Sequence, residues 1–316
     1  MKGLYYNGTL QLRNDLPLPV RPPGEALIKV LMAGVCQTDI EITKGYMAFK
    51  GIIGHEFVGM VEEADSGFLI GKRVVGEINC ACLSCENCSA GMYNHCTNRT
   101  VLGISERNGA FAEYLLLPER NLRVLPDSIS NEEAVFVEPL AACYRILDQV
   151  SVSENTRVLV LGDGRMGLLC SQVFHNTQAV VTVMGRHNEK LSILNKLGIN
   201  TKLSSDELYE SFDLVVDCTG SSAGLSAALR FTKPQGTLVI KSTIAEQRAI
   251  DFNAVVINEI QLRGSRCGPF APAIEALQKK KIAVVPLISA IFPLDQAIRA
   301  VDATSQKQNI KILIEI

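Results

Sequence analysis

Five cysteines lie within eighteen residues, in "NCACLSCENCSAGMYNHC" from 79 to 96. Four of them follow a CxxCxxC spacing with one more cysteine after seven residues: Cys82, Cys85, Cys88 and Cys96. Four thiolates at this spacing can surround a zinc ion tetrahedrally, and they leave no open position for a substrate. The stretch therefore predicts a structural zinc site. Cys80 is too close to Cys82 for the repeated spacing and is left out of the set.

A second candidate group is looser and lies earlier in the chain. "GVCQTDIEI" contains Cys36, and "GHEFVG" contains His55 followed by Glu56. Cys36 and His55 are two candidate zinc ligands, and a catalytic site needs a third ligand and an open position. The chain has only 4 histidines, which favours a functional role for one between glycine and glutamate. The alternative is a histidine that serves only the core.

The stretch "VLVLGDGRMG" contains a GxGxxG pattern directly after an apolar run and before a helical one. It comprises Gly162, Gly164, Arg165, Met166 and Gly167. Glycines allow a tight turn and close approach of a pyrophosphate, and the free N–H groups of the helix N-terminus favour anions. The pattern predicts a dinucleotide site, and an ordinary glycine turn is the alternative.

The end of the next strand indicates which dinucleotide is bound. An NAD site normally has an Asp or Glu there for the ribose hydroxyls, but the sequence reads "VMGRHNEKL", with Gly185, Arg186 and His187. A guanidinium at this position suits the 2′-phosphate of NADP, and His187 adds a second donor. NADP(H) is therefore predicted to be favoured over NAD(H). The alternative is that Arg186 only caps a solvated helix and that NAD is bound without an acidic partner.

The elements that position these residues differ between the two halves of the chain. Up to about residue 135, short β-rich runs such as "EALIKVLMAGVC" and "GAFAEYLLLP" alternate with turns. From about residue 156, apolar runs such as "RVLVLG", "AVVTVMG" and "FDLVVDCTG" alternate with helical stretches, which predicts a parallel sheet covered on both faces. The tail from about 272 is predicted to return to the first domain.

Composition excludes several classes of protein. The chain has 316 residues, 47% hydrophobic and 20% charged, with a formal net charge of -2. No basic stripe predicts nucleic-acid binding, and no Lys or Arg lies between 79 and 96. The N-terminus lacks a secretory pattern and no apolar run is long enough for a membrane span. We therefore expect a cytoplasmic protein whose cysteines bind metal rather than form disulfides.

In their order along the chain, these motifs resemble those of the zinc-dependent medium-chain dehydrogenases. The resemblance rests on "AGVCQTD", "GHEFVG", the four-cysteine stretch, "VEPLAACYRIL" and "GDGRMG", and it is closest to the sorbitol and threonine dehydrogenase branch. It implies an α/β fold with a GroES-like β-rich catalytic domain at 1–140 and 271–316. A Rossmann domain with a doubly wound parallel sheet is expected at 141–270.

The resemblance also implies roles for individual residues near the catalytic zinc. Glu138 of "VEPL" stands where the third ligand is expected, and Cys143 is a weaker candidate for it. Glu56 is expected at the metal or directly behind it, and Asp39 is expected to orient the His55 ring. Thr38 matches the hydroxyl that relays the substrate proton. Glu41 occupies the position where many relatives have a relay histidine, and a solvated side chain is the alternative for it.

Three further residues are expected near the cofactor: Thr219, Arg266 of "GSRCGPF", and Lys311, which could reach a phosphate. The alternatives are an ion-paired interface role for Arg266 and a surface role for Lys311. The implied activity is hydride transfer between NADP(H) and a secondary alcohol or polyol, with two zinc ions per chain and a homodimer or homotetramer. The rival functions are a zinc-independent quinone or enone reductase and a non-catalytic dinucleotide-binding or redox-sensing protein.

Overall fold

The computed structural model describes residues 1–242 and 250–316. These residues form two units, one made of Met1–Glu138 with Leu287–Ile316 and the other of Pro139–Pro286. No helix among the described residues has the length and apolar character needed to cross a bilayer. Each unit has its own sheet and core.

The first unit is built mainly from short strands, as its β-branched residues and turn pairs predict. Its first eleven strands are β1 Gly3–Tyr6, β2 Leu10–Arg13, β3 Glu25–Val35, β4 Gly51–Ile52, β5 Glu56–Glu63, β6 Arg73–Gly76, β7 Asn79–Cys80, β8 Thr100–Leu102, β9 Glu106–Arg107, β10 Tyr114–Pro118 and β11 Leu122–Val124. The helices of this unit are α1 Gln37–Thr43, α2 Glu86–Ser89 and α3 Asn131–Ala134. Helix α4, Val137–Gln149, begins with the last two residues of this stretch and continues in the second unit.

The second unit alternates strands with helices. Its strands are β12 Arg157–Leu161, β13 Val180–Gly185, β14 Asn200–Leu203, β15 Phe212–Asp217, β16 Thr232–Ile240 and β17 Gln261–Gly264. Its helices are α5 Arg165–His175, α6 Asn188–Asn195, α7 Ser222–Phe231, α8 Phe252–Ile257 and α9 Phe270–Gln278. The strands are all parallel, in the order β14-β13-β12-β15-β16-β17. This order is that of a dinucleotide-binding doubly wound fold, with its switch point between β12 and β15.

The C-terminal segment completes the sheet of the first unit with β18 Ile288–Pro293, α10 Ala297–Thr304 and β19 Lys311–Glu315. The main sheet runs β11-β6-β5-β3-β19-β18, and β10 also pairs with β3. Strand β3 pairs antiparallel with β5, β10 and β19. It is eleven residues long, and eight of them are buried. The predicted β-rich and parallel-sheet architectures are confirmed. Of the tail, Leu287–Ile316 lies with the first unit.

Two details differ from the sequence-based expectations. The domain boundaries were placed after 140 and after 270, whereas the units divide after Glu138 and after Pro286. Residues 271–286 belong to the second unit because hydrogen bonds join them to α5: Gln172 bonds to both main-chain groups of Ala283, and Asn176 donates to the Lys281 carbonyl. Strand β14 was not anticipated, since "NTKL" is polar and lies at the sheet edge.

Replacing Gln172 with Leu tests this attachment. The side chain is 3% exposed, and its amide both donates to the Ala283 carbonyl, at 3.2 Å, and accepts from the Ala283 N–H, at 2.7 Å. Because the change removes the partners of both partly buried main-chain groups of Ala283, Gln172→Leu should lower the free energy of unfolding by about 2 kcal/mol. Urea unfolding measures this, with exposed Gln308→Leu as the control. Equal stability of the two variants would contradict the assignment.

Candidate metal centres and nucleotide-binding loop

The candidate catalytic centre is assembled by the antiparallel pairing of β3 with β5. In this register Gly34 lies opposite Glu56. Cys36 follows the end of β3, and His55 precedes the start of β5. The pairing therefore brings together three possible ligand atoms, one each from Cys36, His55 and Glu56, all within 4.8 Å of one another. A thiolate, an imidazole and a carboxylate form a donor set that suits zinc.

Gly34 leaves the space that this centre needs. A Cβ at Gly34 would lie 2.6 Å from Glu56 Oε2 and 2.5 Å from Lys311 Nζ. It would also lie 2.5 Å from a side-chain carbon of Val135. Any side chain at position 34 would thus collide with Glu56, Lys311 and Val135.

Asp39 and Cys36 set the charge on the His55 ring. His55 is 3% exposed, and its Nδ1 lies 3.3 Å from Asp39 Oδ1. Burial alone would lower the pKa of His55, but the negative charges of Asp39 and Cys36 and their hydrogen bonds outweigh it and raise that pKa well above its ordinary value. Asp39 itself is held by the Cys36 main-chain N–H at 2.8 Å. This arrangement leaves Asp39 behind the ring, where it can fix the ring orientation when a cation replaces the proton.

The other residues expected at this centre are placed as follows. Thr38 Oγ1 lies 3.7 Å from Cys36 Sγ. Glu41 is in α1 with its carboxylate bonded to Gln37 and Lys44, at 3.0 Å in each case. Glu138, in the first turn of α4, is not part of the group that Cys36, His55 and Glu56 form among the described residues.

Cys143, the weaker candidate for the third ligand, belongs to the second unit. It is buried there, and its Sγ lies 3.2 Å from that of Cys170. Its thiol also lies 3.3 Å from the Pro139 carbonyl oxygen. Both of these contacts of the Cys143 thiol are therefore with residues of its own unit.

Lys311 is fully buried, so the alternative of a surface lysine is wrong, and the expected cofactor contact stays a prediction. Strand β19 places Ile312 opposite Val35, so Lys311 lies beside the end of β3. The side chain is fully buried, forms an ion pair with Glu56 and lies 5.8 Å from the centre of the Phe136 ring. Burial lowers the pKa of Lys311 to about 8, although the negative charges of Cys36 and Asp39 act to raise it. The sequence could not show this, because the lysine approaches the centre from a strand near the C-terminus.

Glu56 supports the fit of a cation at this centre. Its Oε2 faces Lys311, while Oε1 is buried and receives no hydrogen bond from the described residues. A buried carboxylate oxygen without a donor is costly unless a cation or a water contacts it. One carboxylate oxygen of Glu56 lies within 4.8 Å of the ligand atoms of Cys36 and His55, so the residues present fit a divalent ion.

The four cysteines of the second group also converge. Cys82, Cys85, Cys88 and Cys96 offer ligand atoms within 4.8 Å of one another. The main-chain N–H groups of Thr97 and Cys88 lower the pKa of Cys85 to about 5, which favours a thiolate. Cys80 is separate, in β7, where Asn121 Nδ2 lies 3.9 Å from its sulfur. Four converging thiols fit a closed tetrahedral zinc site.

The glycine loop of the second unit has the geometry that a pyrophosphate requires. Gly162 has φ +112°, a conformation that favours glycine. A Cβ at Gly167 would lie 1.8 Å from the Gly162 carbonyl oxygen, so the helix can approach the loop only with glycine there. Gly164 caps α5 and has no atom within 4 Å of an added Cβ. Arg165 and Met166 form the first turn of α5.

Asp163, inside the glycine motif, is a residue that the sequence reasoning missed. Its Oδ2 accepts from the main-chain N–H groups of Arg186 and His187, at 2.6 Å each, and lies 2.9 Å from His187 Nδ1. Burial alone would raise the pKa of Asp163, but the His187 and Arg186 N–H groups outweigh it and lower that pKa. An acidic residue within the motif itself was the signal available in the sequence.

Two more residues expected near the cofactor lie at the carboxyl ends of strands in this unit. Thr219 follows β15, and its main-chain N–H and hydroxyl both donate to Asp217 Oδ1, at 2.9 and 2.7 Å. Arg266 follows β17 and is exposed, and its carbonyl accepts from Lys241 at 2.9 Å. Ligands of doubly wound folds bind beyond these strand ends.

Two family models match the chain: "Alcohol dehydrogenase GroES-like domain" over residues 22–127 and "Zinc-binding dehydrogenase" over 166–280. A sorbitol dehydrogenase of Halalkalibacterium halodurans is 27% identical over 95% of this chain and 94% of its own length. Among solved structures, a putative zinc-binding dehydrogenase from Sinorhizobium meliloti bound to NADP matches with a TM-score of 0.91 and 27% identity, covering 100% of this chain and 99% of that one. An alcohol dehydrogenase from Escherichia coli CFT073 complexed with NADH matches with a TM-score of 0.90 and 25% identity, covering 100% and 99%.

The fold, the two ligand groups and these matches agree. The chain belongs to the zinc-dependent medium-chain dehydrogenases, in the branch of the polyol and threonine dehydrogenases.

The pairing of Lys311 with Glu56 predicts a large cost for removing the lysine. Lys311→Met leaves a buried carboxylate without its cation, so the zinc-free protein should lose about 3 to 5 kcal/mol of its free energy of unfolding. Chemical denaturation after chelation measures this. Lys279→Met is the control, because that lysine is exposed and its ion pair with Glu275 should contribute at most about 1 kcal/mol. A loss at Lys311 no larger than that of the control would refute the buried pair.

Proposed function

We propose that the chain is a zinc-dependent oxidoreductase that transfers hydride between NADP(H) and a secondary alcohol or polyol and its carbonyl form. The observation that carries this proposal is the convergence of Cys36, His55 and Glu56 within 4.8 Å in the first unit. The dinucleotide loop of the second unit supports the cofactor class. A zinc-independent quinone or enone reductase would need neither ligand group, and a non-catalytic binding protein would not need the group formed by Cys36, His55 and Glu56.

The metal ligands in this proposal are Cys36, His55 and a carboxylate. Glu56 is in the observed group, and Glu138 remains the ligand that the family likeness suggests, so the two carboxylates are the candidates for the third position. These residues would hold a zinc ion, which would supply the Lewis acidity that polarises a substrate oxygen and lowers the pKa of a substrate hydroxyl. Lys311 bears on the choice, because its ion pair with Glu56 competes with the metal for that carboxylate.

Thr38 and Glu41 are proposed to move the substrate proton. Both lie on α1 three residues apart, which places them on one face of the helix. Thr38 Oγ1 is 3.7 Å from Cys36 Sγ, next to the metal ligands. Its hydroxyl can accept a proton from the substrate and donate its own, and the Glu41 carboxylate is the next acceptor on that face.

Preference for NADP(H) is proposed from Arg186. Arg186 is exposed, and among the described residues no hydrogen bond or ion pair reaches its guanidinium. Its main chain is held by Asp163, so the start of the side chain is fixed at the end of β13. A guanidinium in that position can form paired hydrogen bonds with a phosphate.

The remaining parts of the proposal concern the second zinc, assembly and location. The four-cysteine group is proposed to bind one structural zinc ion, which makes about two per chain. A homodimer or homotetramer is proposed, supported by the edge position of β17 and by the exposed apolar residues Phe252, Val256 and Ile257 of α8. The number of free thiols supports a reducing location, the cytoplasm.

Metal content and turnover test the function together. The purified protein should contain about two zinc ions per chain, and Cys36→Ser should lose about one of them together with all turnover. NADPH binding should survive, since the dinucleotide loop belongs to the other unit. The assay is a panel of polyols, amino alcohols and simple secondary alcohols with each cofactor, beside metal analysis of each variant.

Cys85→Ser is the matched control, because it removes one ligand of the cysteine-only group. It should also lose about one zinc ion per chain, with a fall in thermal stability. Continued turnover by Cys36→Ser without its zinc would exclude the proposed mechanism.

Arg186→Ala tests the cofactor preference. Loss of a guanidinium that binds the 2′-phosphate should raise the Kd of NADPH about 10- to 100-fold, with a much smaller change for NADH. Cofactor fluorescence titrations give both constants. Arg230→Ala, an exposed arginine on α7, should change neither. If Arg186→Ala weakened both cofactors equally, the guanidinium would not be the 2′-phosphate ligand.

A further inference from the structure

The carboxylate of Asp163 occupies the place in this fold where an acidic residue normally recognises the adenosine ribose. That acid usually follows the second strand of the sheet, here β13, and accepts hydrogen bonds from the ribose hydroxyls. The strand ends at Gly185, and the two residues that follow it, Arg186 and His187, are not acidic. The Asp163 carboxylate is nevertheless 2.6 Å from the main-chain nitrogens of both. It therefore lies at the end of β13, although it comes from the glycine loop.

The packing around Gly185 holds the carboxylate there. A Cβ at Gly185 would lie 2.5 Å from Asp163 Cβ and 2.7 Å from Asp163 Oδ2. Gly185 thus provides the space into which the Asp163 side chain enters. Asp163 is 7% exposed and is held by three contacts at Oδ2, so its position is fixed before any ligand arrives.

The two oxygens of this carboxylate have different surroundings. Oδ2 takes the N–H groups of Arg186 and His187 and contacts the His187 ring. Within residues 1–242 and 250–316, no hydrogen bond reaches Oδ1, and Oδ1 is not among the buried side-chain atoms that lack a partner. Oδ1 is thus an acceptor at the edge of the nucleotide loop that retains access to a ligand. A ribose hydroxyl is the donor that a dinucleotide presents at this edge.

We propose that Asp163 recognises the adenosine ribose 2′-hydroxyl of NAD(H), so that the protein binds NAD(H) through Asp163 as well as NADP(H) through Arg186. This inference rests on the proposed function, because it concerns the cofactor of the same reaction. A 2′-phosphate would meet repulsion from the carboxylate and attraction from Arg186. A 2′-hydroxyl is uncharged, so the carboxylate does not repel it, and it can donate a hydrogen bond to that charged acceptor. The two groups therefore act in opposite directions, and the preference between cofactors should be modest.

Asp163→Asn separates recognition from support of the loop. The asparagine oxygen can still accept the Arg186 and His187 N–H groups, while its NH₂ group takes the position of Oδ1 and cannot accept from a hydroxyl. The Kd of NADH, measured by cofactor fluorescence, should rise about 10-fold or more. The Kd of NADPH should stay the same or fall, because the repulsion is removed. Parallel weakening of both cofactors would show that Asp163 only supports the loop, and would overturn the proposal.

An NADH analogue with a 2′-deoxy adenosine ribose provides a second test that does not depend on the variant's folding. The unaltered protein should bind this analogue about 10-fold more weakly than NADH, and Asp163→Asn should bind the two alike. Equal affinity of the unaltered protein for NADH and the analogue would refute the proposal, as would absence of NADH binding. Binding of both cofactors without turnover of any alcohol would instead defeat the proposed function and leave the assignment of Asp163 standing.

Discussion

The antiparallel pairing of β3 with β5 and β19 is the constraint on which the candidate catalytic centre depends. Each candidate ligand is at a strand end: Cys36 just after β3, His55 just before β5 and Glu56 at its first residue. Main-chain hydrogen bonds set the register, and the register brings these side chains together. Burying these polar groups costs free energy. Lys311 offsets this cost for the Glu56 carboxylate and Asp39 offsets it for the His55 ring, and a metal ion would offset it for all three candidate ligands.

Lys311 gives the candidate centre a buried positive charge that is not part of the ligand group. It is a buried cation beside Glu56, contributed by the last strand of the chain. The folding of the C-terminal segment back onto β3 is therefore required for the electrostatic balance of a centre whose ligands lie in the first 60 residues. A deletion of β19 would remove both a central strand neighbour and the charge that opposes Glu56.

In the second unit, the glycine loop and the turn after β13 form one structure. Asp163 joins them through the Arg186 and His187 N–H groups, and Gly185 leaves the space for it. No acid follows β13 in the sequence, because the carboxylate at this place comes from the glycine loop. The same hydrogen bonds that fix Asp163 also fix the main chain from which the Arg186 side chain extends.

Local pattern was enough for much of this protein. The strand and helix periods predicted the β-rich and parallel-sheet units, and the cysteine spacing predicted which four thiols converge and that Cys80 does not. Tertiary structure alone decided the position of Lys311, the acidic partner of the β13 turn and the attachment of residues 271–286 to α5. The physical reason is the distance along the chain between the residues that interact. Periodicity and motif spacing act over a few residues, while ion pairs and strand register join residues that the sequence separates by tens or hundreds of positions.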